Sequence, residues 1–260
     1  MSSYLVKRLL LKAIISLPVP AALNRLLRFY VHTKAGENVG DMRLNGEFRF
    51  LDTHAPSCRI LFDVGASGGV WTEHALRVNP DAEIHCFEPI QAHYQRLLAR
   101  AFPPQVVCNA TGLSDLAGEA QMFTRALSLH DRRGPGCNQP REGESELIQL
   151  TTLDAYCARH RITEIDLLKI DTEGHDLAVL RGGTQMIREG RIRRIQFEYG
   201  PRNVYARVFL RDFFIFFDGL PYRIYQVMPR GLVPVATYDL RLENLQYKNF
   251  VALHAAVRVV

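Results

Sequence analysis

Apolar and polar positions along the chain alternate between short unbroken runs and helical spacing. Arg59 to Val64 is an apolar run with one acid, Asp63, and it stops at the small residues Gly65-Ala-Ser-Gly-Gly69. A run of this kind ending in a tight turn predicts a buried parallel strand. Val70 to Arg77 then repeats apolar residues at helical spacing, and Glu83-Ile-His-Cys-Phe-Glu-Pro89 forms a second run that ends on Glu88. The next expected elements are a helix over Gln91 to Ala101 stopped by Pro103-Pro104, a third strand over Gln105 to Asn109 and a strand near Ala120 to Thr124. After Leu150-Thr-Thr-Leu-Asp154 comes a helix through Tyr156. Ile165 to Ile170 reads as a central strand and Arg191 to Tyr199 as a fifth, with Pro221 to Met228 and Gln246 to Val257 as a closing pair. Strands alternating with helices predict an α/β fold around a parallel sheet. Tyr205 to Phe217 is an aromatic helix. Its Phe213, Phe214, Phe216 and Phe217 are too dense for one face, so part of them is expected to meet residues 1–35 or another subunit.

The chain has 260 residues, enough for one large domain or a domain with an extension. Residues 1–35 stand apart: apolar residues are interspersed with Lys7, Arg8, Lys12, Arg25 and Arg28, and Pro18 and Pro20 interrupt the helix. The apolar run is too short and too charged to span a bilayer. Lys12 splits the would-be core of a signal peptide, and no small-residue cleavage site follows. Two readings stay open: a helical cap on the core or on a second subunit, and a basic amphipathic segment on an anionic membrane surface. The net charge of +5 is moderate and Lys and Arg occur throughout the chain, which hints at an anionic partner without a nucleic-acid patch. The isolated cysteines Cys58, Cys86, Cys108, Cys137 and Cys157 lack the pairing of a zinc site or a disulfide framework, so a reducing compartment is expected.

The chemistry starts at the glycine turn. Its spacing is not the dinucleotide Gly-x-Gly-x-x-Gly, and no Gly-x-x-x-x-Gly-Lys-Ser/Thr occurs. Glu88 follows at the distance where a βαβ unit places a carboxylate for a ribose diol. Asp63 would repel a pyrophosphate and suits a cofactor with a cationic end, as S-adenosylmethionine has. A second acid cluster, Asp171, Glu173, His175 and Asp176, closes the central strand, where open α/β sheets hold their ligands. Asp171 and Glu173 read as functional, Asp176 as a helix cap, and His175 as either a general base or a solvated first-turn residue. Between the halves, residues 125–146 form an irregular stretch with Ser128, His130, Arg132 and Arg133, either a surface excursion or a lid that binds the acceptor.

The segments Phe62-Asp-Val-Gly-Ala66, Phe87-Glu-Pro89, Leu113-Ser-Asp115, Thr152-Leu-Asp154 and Leu168-Lys-Ile-Asp-Thr-Glu-Gly174 with Leu180-Arg-Gly182 together resemble the FkbM-type methyltransferases. The likeness continues through Ile195-Gln-Phe-Glu-Tyr199 and Asn249-Phe-Val-Ala252 and covers roughly residues 55 to 255. It departs at Ser67-Gly68, where the family commonly has Asn and an apolar residue. The resemblance implies a class I fold: a seven-stranded, mainly parallel sheet with helices on both faces, here residues 55–260 behind a helical extension, residues 1–54. It also implies methyl transfer from S-adenosylmethionine to a hydroxyl of a sugar, glycan or polyketide. Carried over residue by residue, Asp63, Gly65, Ala66, Ser67, Gly68 and Gly69 would border the methionine part of the cofactor, and Glu88 with Pro89 the ribose. Asn109 and Ala110 would lie beside the adenine, and Asp171 near the sulfonium and the acceptor. Asp171, Glu173, His175 and Glu198 are the candidates for activating the acceptor oxygen, and a Mg²⁺ bridging acceptor oxygens is a further option without a ligand spacing that demands it. The expected setting is cytoplasmic, with the inner face of the membrane as the place of any peripheral contact. A Rossmann oxidoreductase or a silent cofactor-binding scaffold would be the alternatives.

Overall fold

The computed structural model describes residues 3–16, 20–123 and 145–258. The chain divides into two compact units, residues 1–37 and 38–260. The first contains α1 (Ser3–Ser16) and α2 (Ala21–Lys34), with Pro20 preceding α2. The second begins with α3 (Met42–Asn45) and α4 (Glu47–His54). Phe48, Phe50 and Leu51 of α4 are buried core residues, so the expected boundary after residue 54 lies inside this unit.

The alternating part follows as β1 (Ile60–Val64), α5 (Val70–Val78), β2 (Glu83–Phe87), α6 (Gln91–Leu98) and β3 (Val106–Asn109). Next are β4 (Gly112–Leu113), β5 (Gly118–Phe123), β6 (Ser145–Thr151), α7 (Leu153–His160) and β7 (Leu167–Ile170). The chain continues through α8 (Asp176–Gly182), α9 (Thr184–Arg188), β8 (Arg194–Tyr199), α10 (Asn203–Ala206) and α11 (Leu210–Phe217). It closes with β9 (Tyr222–Met228), β10 (Gly231–Pro234) and β11 (Lys248–His254). Thr152 starts α7 by accepting a hydrogen bond from the Ala155 N–H.

The main sheet runs β10-β9-β11-β8-β7-β1-β2-β3. The five strands from β3 to β8 are parallel and β11, β9 and β10 are antiparallel. This is the expected doubly wound architecture with one strand more than seven, because β10 pairs with β9 across a short turn that the sequence pattern did not mark. A separate sheet, β4-β6-β5, contains the predicted strand near residue 120 and the unpredicted β6, whose alternate exposure lacks a continuous apolar run.

Alternate residues of the central strands feed two cores. Phe62, Leu168, Ile195 and Phe197 pack with α7, α8 and α11 on one face, while Leu61, Ile84 and Leu167 pack with α4 and α5 on the other. Full burial of each large side chain stabilises by about 1.5–3 kcal/mol. The dense aromatic helix is satisfied within this unit. Phe213 stacks on Phe197 at 4.6 Å between centroids, Phe217 is buried, and Phe214 and Phe216 are half-buried against the same core. The helix is also shorter than expected, because Arg207 takes a left-handed φ of 56° and separates α10 from α11.

Candidate active site

The order of the sheet reverses between β1 and β7, and such a switch point opens a crevice beyond the strand ends. A cavity of about 300 Å³ lies there, lined by the turn after β1, the end of β2 and the loop after β7. Gly65 has φ 81°, and a Cβ on it would sit 1.9 Å from the Asp171 carbonyl oxygen, so only glycine lets the two loops meet. The Asp171 N–H donates to the Val64 carbonyl at 2.9 Å, and the Gly65 and Ala66 N–H groups donate to Phe87 O at 2.9 and 3.0 Å. Three strand ends are thereby fixed to one another.

Glu88 is 4% exposed and accepts from the Ser67 N–H at 2.8 Å and the Ile90 N–H at 2.9 Å. Burial raises its carboxyl pKa despite these two donors. Glu88 therefore does more than line the cavity: it holds the glycine turn to the start of α6. Beyond it, Ile90, Met122 and Ile148 form a small apolar cluster with Leu150, and these side chains with Gly112 and Leu113 make one wall.

The opposite wall is the loop Asp171 to His175. Behind it, in register across the sheet, stand Asp63, Lys169 and Gln196. Lys169 is buried, with Nζ 3.2 Å from Asp63 Oδ1 and 3.5 Å from Asp171 Oδ2. Burial works against its charge, but Asp63 and Asp171 outweigh burial and raise its pKa. The same ammonium overcomes the effect of burial on Asp171 and lowers the pKa of that carboxyl. Glu198 bonds to Asp171 and is raised well above the usual carboxylate range by burial, then by the charge of Asp171. Of the two carboxyls, Glu198 therefore holds a proton more tightly than Asp171.

Glu173 lines the cavity at a left-handed φ of 55°, an uncommon backbone for a residue with a side chain, held by Gly174 packed against the Arg202 carbonyl. Its pKa is raised by burial and then by Asp171, and Arg202 Nε lies 3.3 Å from its Oε2. His175 Nε2 is 2.9 Å from Ser114 Oγ, whose hydroxyl also reaches Asp115 Oδ1 at 3.0 Å. Asp176 is fully buried, accepting from Thr172 Oγ1 at 2.9 Å and from the Glu198 N–H at 3.0 Å. It ties the loop to β8 and does more than cap a helix.

Of the residues expected from sequence, Gly65, Ser67, Glu88, Pro89, Asp171, Glu173 and His175 line the cavity. Ala66, Gly68 and Gly69 are not among its lining residues. Others stand off the cavity wall. Asp63 does not face the cavity: it is 0% exposed, bonded to Lys169 and to the Thr72 hydroxyl at 2.7 Å. Asn109 turns inward, donating to the Cys86 carbonyl at 3.0 Å, and neither it nor Ala110 lines the cavity, where Gly112 and Leu113 stand instead. Glu198 sits behind Asp171 and is absent from the cavity wall. Ser128, His130, Arg132 and Arg133 lie outside the described residues. Among the described residues no three His, Cys, Asp or Glu side chains converge to hold a metal ion.

Sequence reasoning missed Lys169, read as one position of an apolar strand, and Glu47. The Glu47 carboxylate is buried, accepting from Gln196 Nε2 at 2.7 Å, Asn45 Nδ2 at 2.6 Å and Asn249 Nδ2 at 3.1 Å. The interruption of an apolar run by Lys, two strand positions before Asp171, was the available signal for the first; the second had none.

The chain is 26% identical over 149 residues to the hexuronic acid methyltransferase AglP of Haloferax volcanii, covering 55% of this chain and 59% of that protein. It is 24% identical over 167 residues to the 2-O-methyltransferase NoeI of Sinorhizobium fredii, covering 56% of this chain and 65% of that one. The chain thus spans less than two thirds of either curated relative. The solved structure of Aeropyrum pernix fibrillarin with natively bound S-adenosyl-L-methionine matches 75% of this chain and 66% of its own, at TM-score 0.41 and 15% identity. The Methyltransferase FkbM domain family matches residues 63–227, a stretch that begins at Asp63, takes in every cavity-lining loop after β1 and ends within β9; the chain belongs to the FkbM methyltransferase family.

Proposed function

We propose that this protein transfers a methyl group from S-adenosylmethionine to a hydroxyl of a sugar in a glycan, glycolipid or related natural product. The observation that carries the reading is one cavity joining a buried, doubly anchored Glu88 to an ionised Asp171. The residues fit such a cofactor. The apolar wall of Ile90, Met122, Ile148 and Leu113 suits a base, the remaining lone pairs of Glu88 suit a ribose diol, and the charge of Asp171 suits a cationic end. When bound, S-adenosylmethionine supplies a methyl group on positively charged sulfur, open to displacement by an oxygen nucleophile.

The protein's own work is alignment and proton management. Lys169 keeps Asp171 charged, which makes Asp171 a binding group and a poor proton acceptor. Glu173 is the better base: it lines the same wall, its pKa is raised, and its strained backbone fixes the direction of the carboxylate. His175, braced by Ser114, orients the acceptor hydroxyl beside it. The sugar class rests on the names of the two curated relatives, a hexuronic acid methyltransferase and a 2-O-methyltransferase.

The test is calorimetry with S-adenosylhomocysteine on wild type and Glu88→Ala. The expected result is binding that the substitution weakens by ~1–3 kcal/mol, the scale for a lost partner of a buried polar group. Wild-type protein that binds NAD and not S-adenosylhomocysteine would overturn the proposal.

A further inference from the structure

The charge of the chain is unevenly placed. Residues 1–36 hold six Lys and Arg, at Lys7, Arg8, Lys12, Arg25, Arg28 and Lys34, and no acid. The rest of the chain keeps 26 basic against 27 acidic residues, a net of −1, so the entire positive excess resides in this segment. On α2, Leu23, Leu26, Leu27, Tyr30 and Val31 fall within one arc of the helix, and Arg25, Arg28 and His32 fall on the opposite arc. None of the α2 residues is buried, and the five apolar ones are 46% to 62% exposed. The preceding α1 is 14 residues long, about 21 Å at 1.5 Å per residue. No helix among the described residues is long and apolar enough to cross a membrane.

We propose that α1 and α2 form a peripheral docking element for an anionic lipid surface, lying in the plane of the interface with the Leu23–Tyr30 arc toward the acyl chains. Charge complementarity selects this occupant. A face that packs on a domain of net charge −1 gains little from a wholly acid-free sequence, whereas each Lys or Arg near an anionic bilayer strengthens binding about fivefold. An apolar arc backed by basic residues is the pattern that binds such interfaces. The proposal stands apart from the methyltransferase reading, since it uses no residue of the cavity.

The full-length protein is sedimented with vesicles of phosphatidylcholine alone and of phosphatidylcholine with phosphatidylglycerol. Wild type is expected to pellet with the anionic vesicles only. Arg25→Gln/Arg28→Gln should weaken that binding about 25-fold, at fivefold per charge. Leu26→Gln/Leu27→Gln should weaken it more than about tenfold with circular dichroism unchanged, because exposed residues carry no core packing. Wild type remaining in the supernatant, or binding neutral and anionic vesicles alike, overturns the proposal. So does insensitivity to both double substitutions. A dimer in light scattering that the leucine substitutions dissolve, without vesicle binding, assigns the face to a second copy and overturns it as well.

Discussion

Removing Lys169 as Lys169→Met leaves two carboxylates facing each other without the ammonium between them. At an effective dielectric of about 20, a unit pair near 3.3 Å attracts by about 5 kcal/mol, and Lys169 makes two such contacts, at 3.2 and 3.5 Å. The cost of desolvating the buried ammonium, several kcal/mol, offsets part of this gain, and breaking a buried pair by deleting one partner costs about 3–5 kcal/mol net. At roughly 2–4 °C per kcal/mol for a domain of this size, the melting temperature should fall by about 6–20 °C. The pH dependence separates charge from packing. In wild type the folded pKa of Asp171 is lowered, so its contribution is present above about pH 4 and is lost as pH falls through the folded value. In the variant, desolvation has no counterweight and the folded pKa rises above that of the unfolded chain. The variant then loses stability as pH rises above about 4. Urea unfolding from pH 4 to pH 8 should therefore show a gap between the two proteins that is widest at pH 8 and closes toward pH 4. A loss below ~1 kcal/mol, or a gap constant with pH, refutes the argument that an ion triad organises the site.

Glu173→Gln should reduce methylation of a sugar acceptor by about 100-fold or more, the scale of general-base catalysis, while leaving S-adenosylhomocysteine affinity within about twofold in calorimetry; equal loss of both would move Glu173 from base to binding group. Asp176 offers a stability readout independent of substrate. Burial, then the charge of Asp171, raises its carboxyl to about 7, so the folded protein keeps a proton that the unfolded chain releases near pH 4, and this contribution to stability falls as pH rises from about 4 to about 7. Over that window the stability difference between wild type and Asp176→Asn should shift by up to about 4 kcal/mol, at 1.36 kcal/mol per pKa unit. Parallel pH profiles for the two proteins would count against a buried, protonated Asp176.

Much of this site is written locally in the chain. The β1 turn, Glu88 and the loop from Asp171 to His175 are short motifs attached to strand ends, and a βαβ unit delivers such motifs to one crevice without help from the rest of the molecule. What escaped the sequence was pairing at a distance. Asp63 looks available for a ligand until Lys169, 106 residues later, is placed beside it in the next strand. Asn109 looks like a ligand residue until its amide finds the Cys86 carbonyl. Glu47 precedes every motif and enters the network only because α4 packs against the sheet and Gln196 of β8 reaches its carboxylate. The hairpin to β10 was invisible for a simpler reason: a strand of four residues at a sheet edge, half of them exposed, needs no continuous apolar run.

The contact between Gly65 and the Asp171 carbonyl bears on how such a protein can diversify. The separation between the Glu88 end and the Asp171 end of the cavity is set by main chain against main chain, at a point where no side chain fits. Substitutions in the lining, at Met42, Met122 or Thr172, can reshape what enters the cavity without altering that separation. A lineage carrying this turn can therefore change what the cavity admits while the spacing between its two ends stays constant. At Gly65 neutral drift is closed.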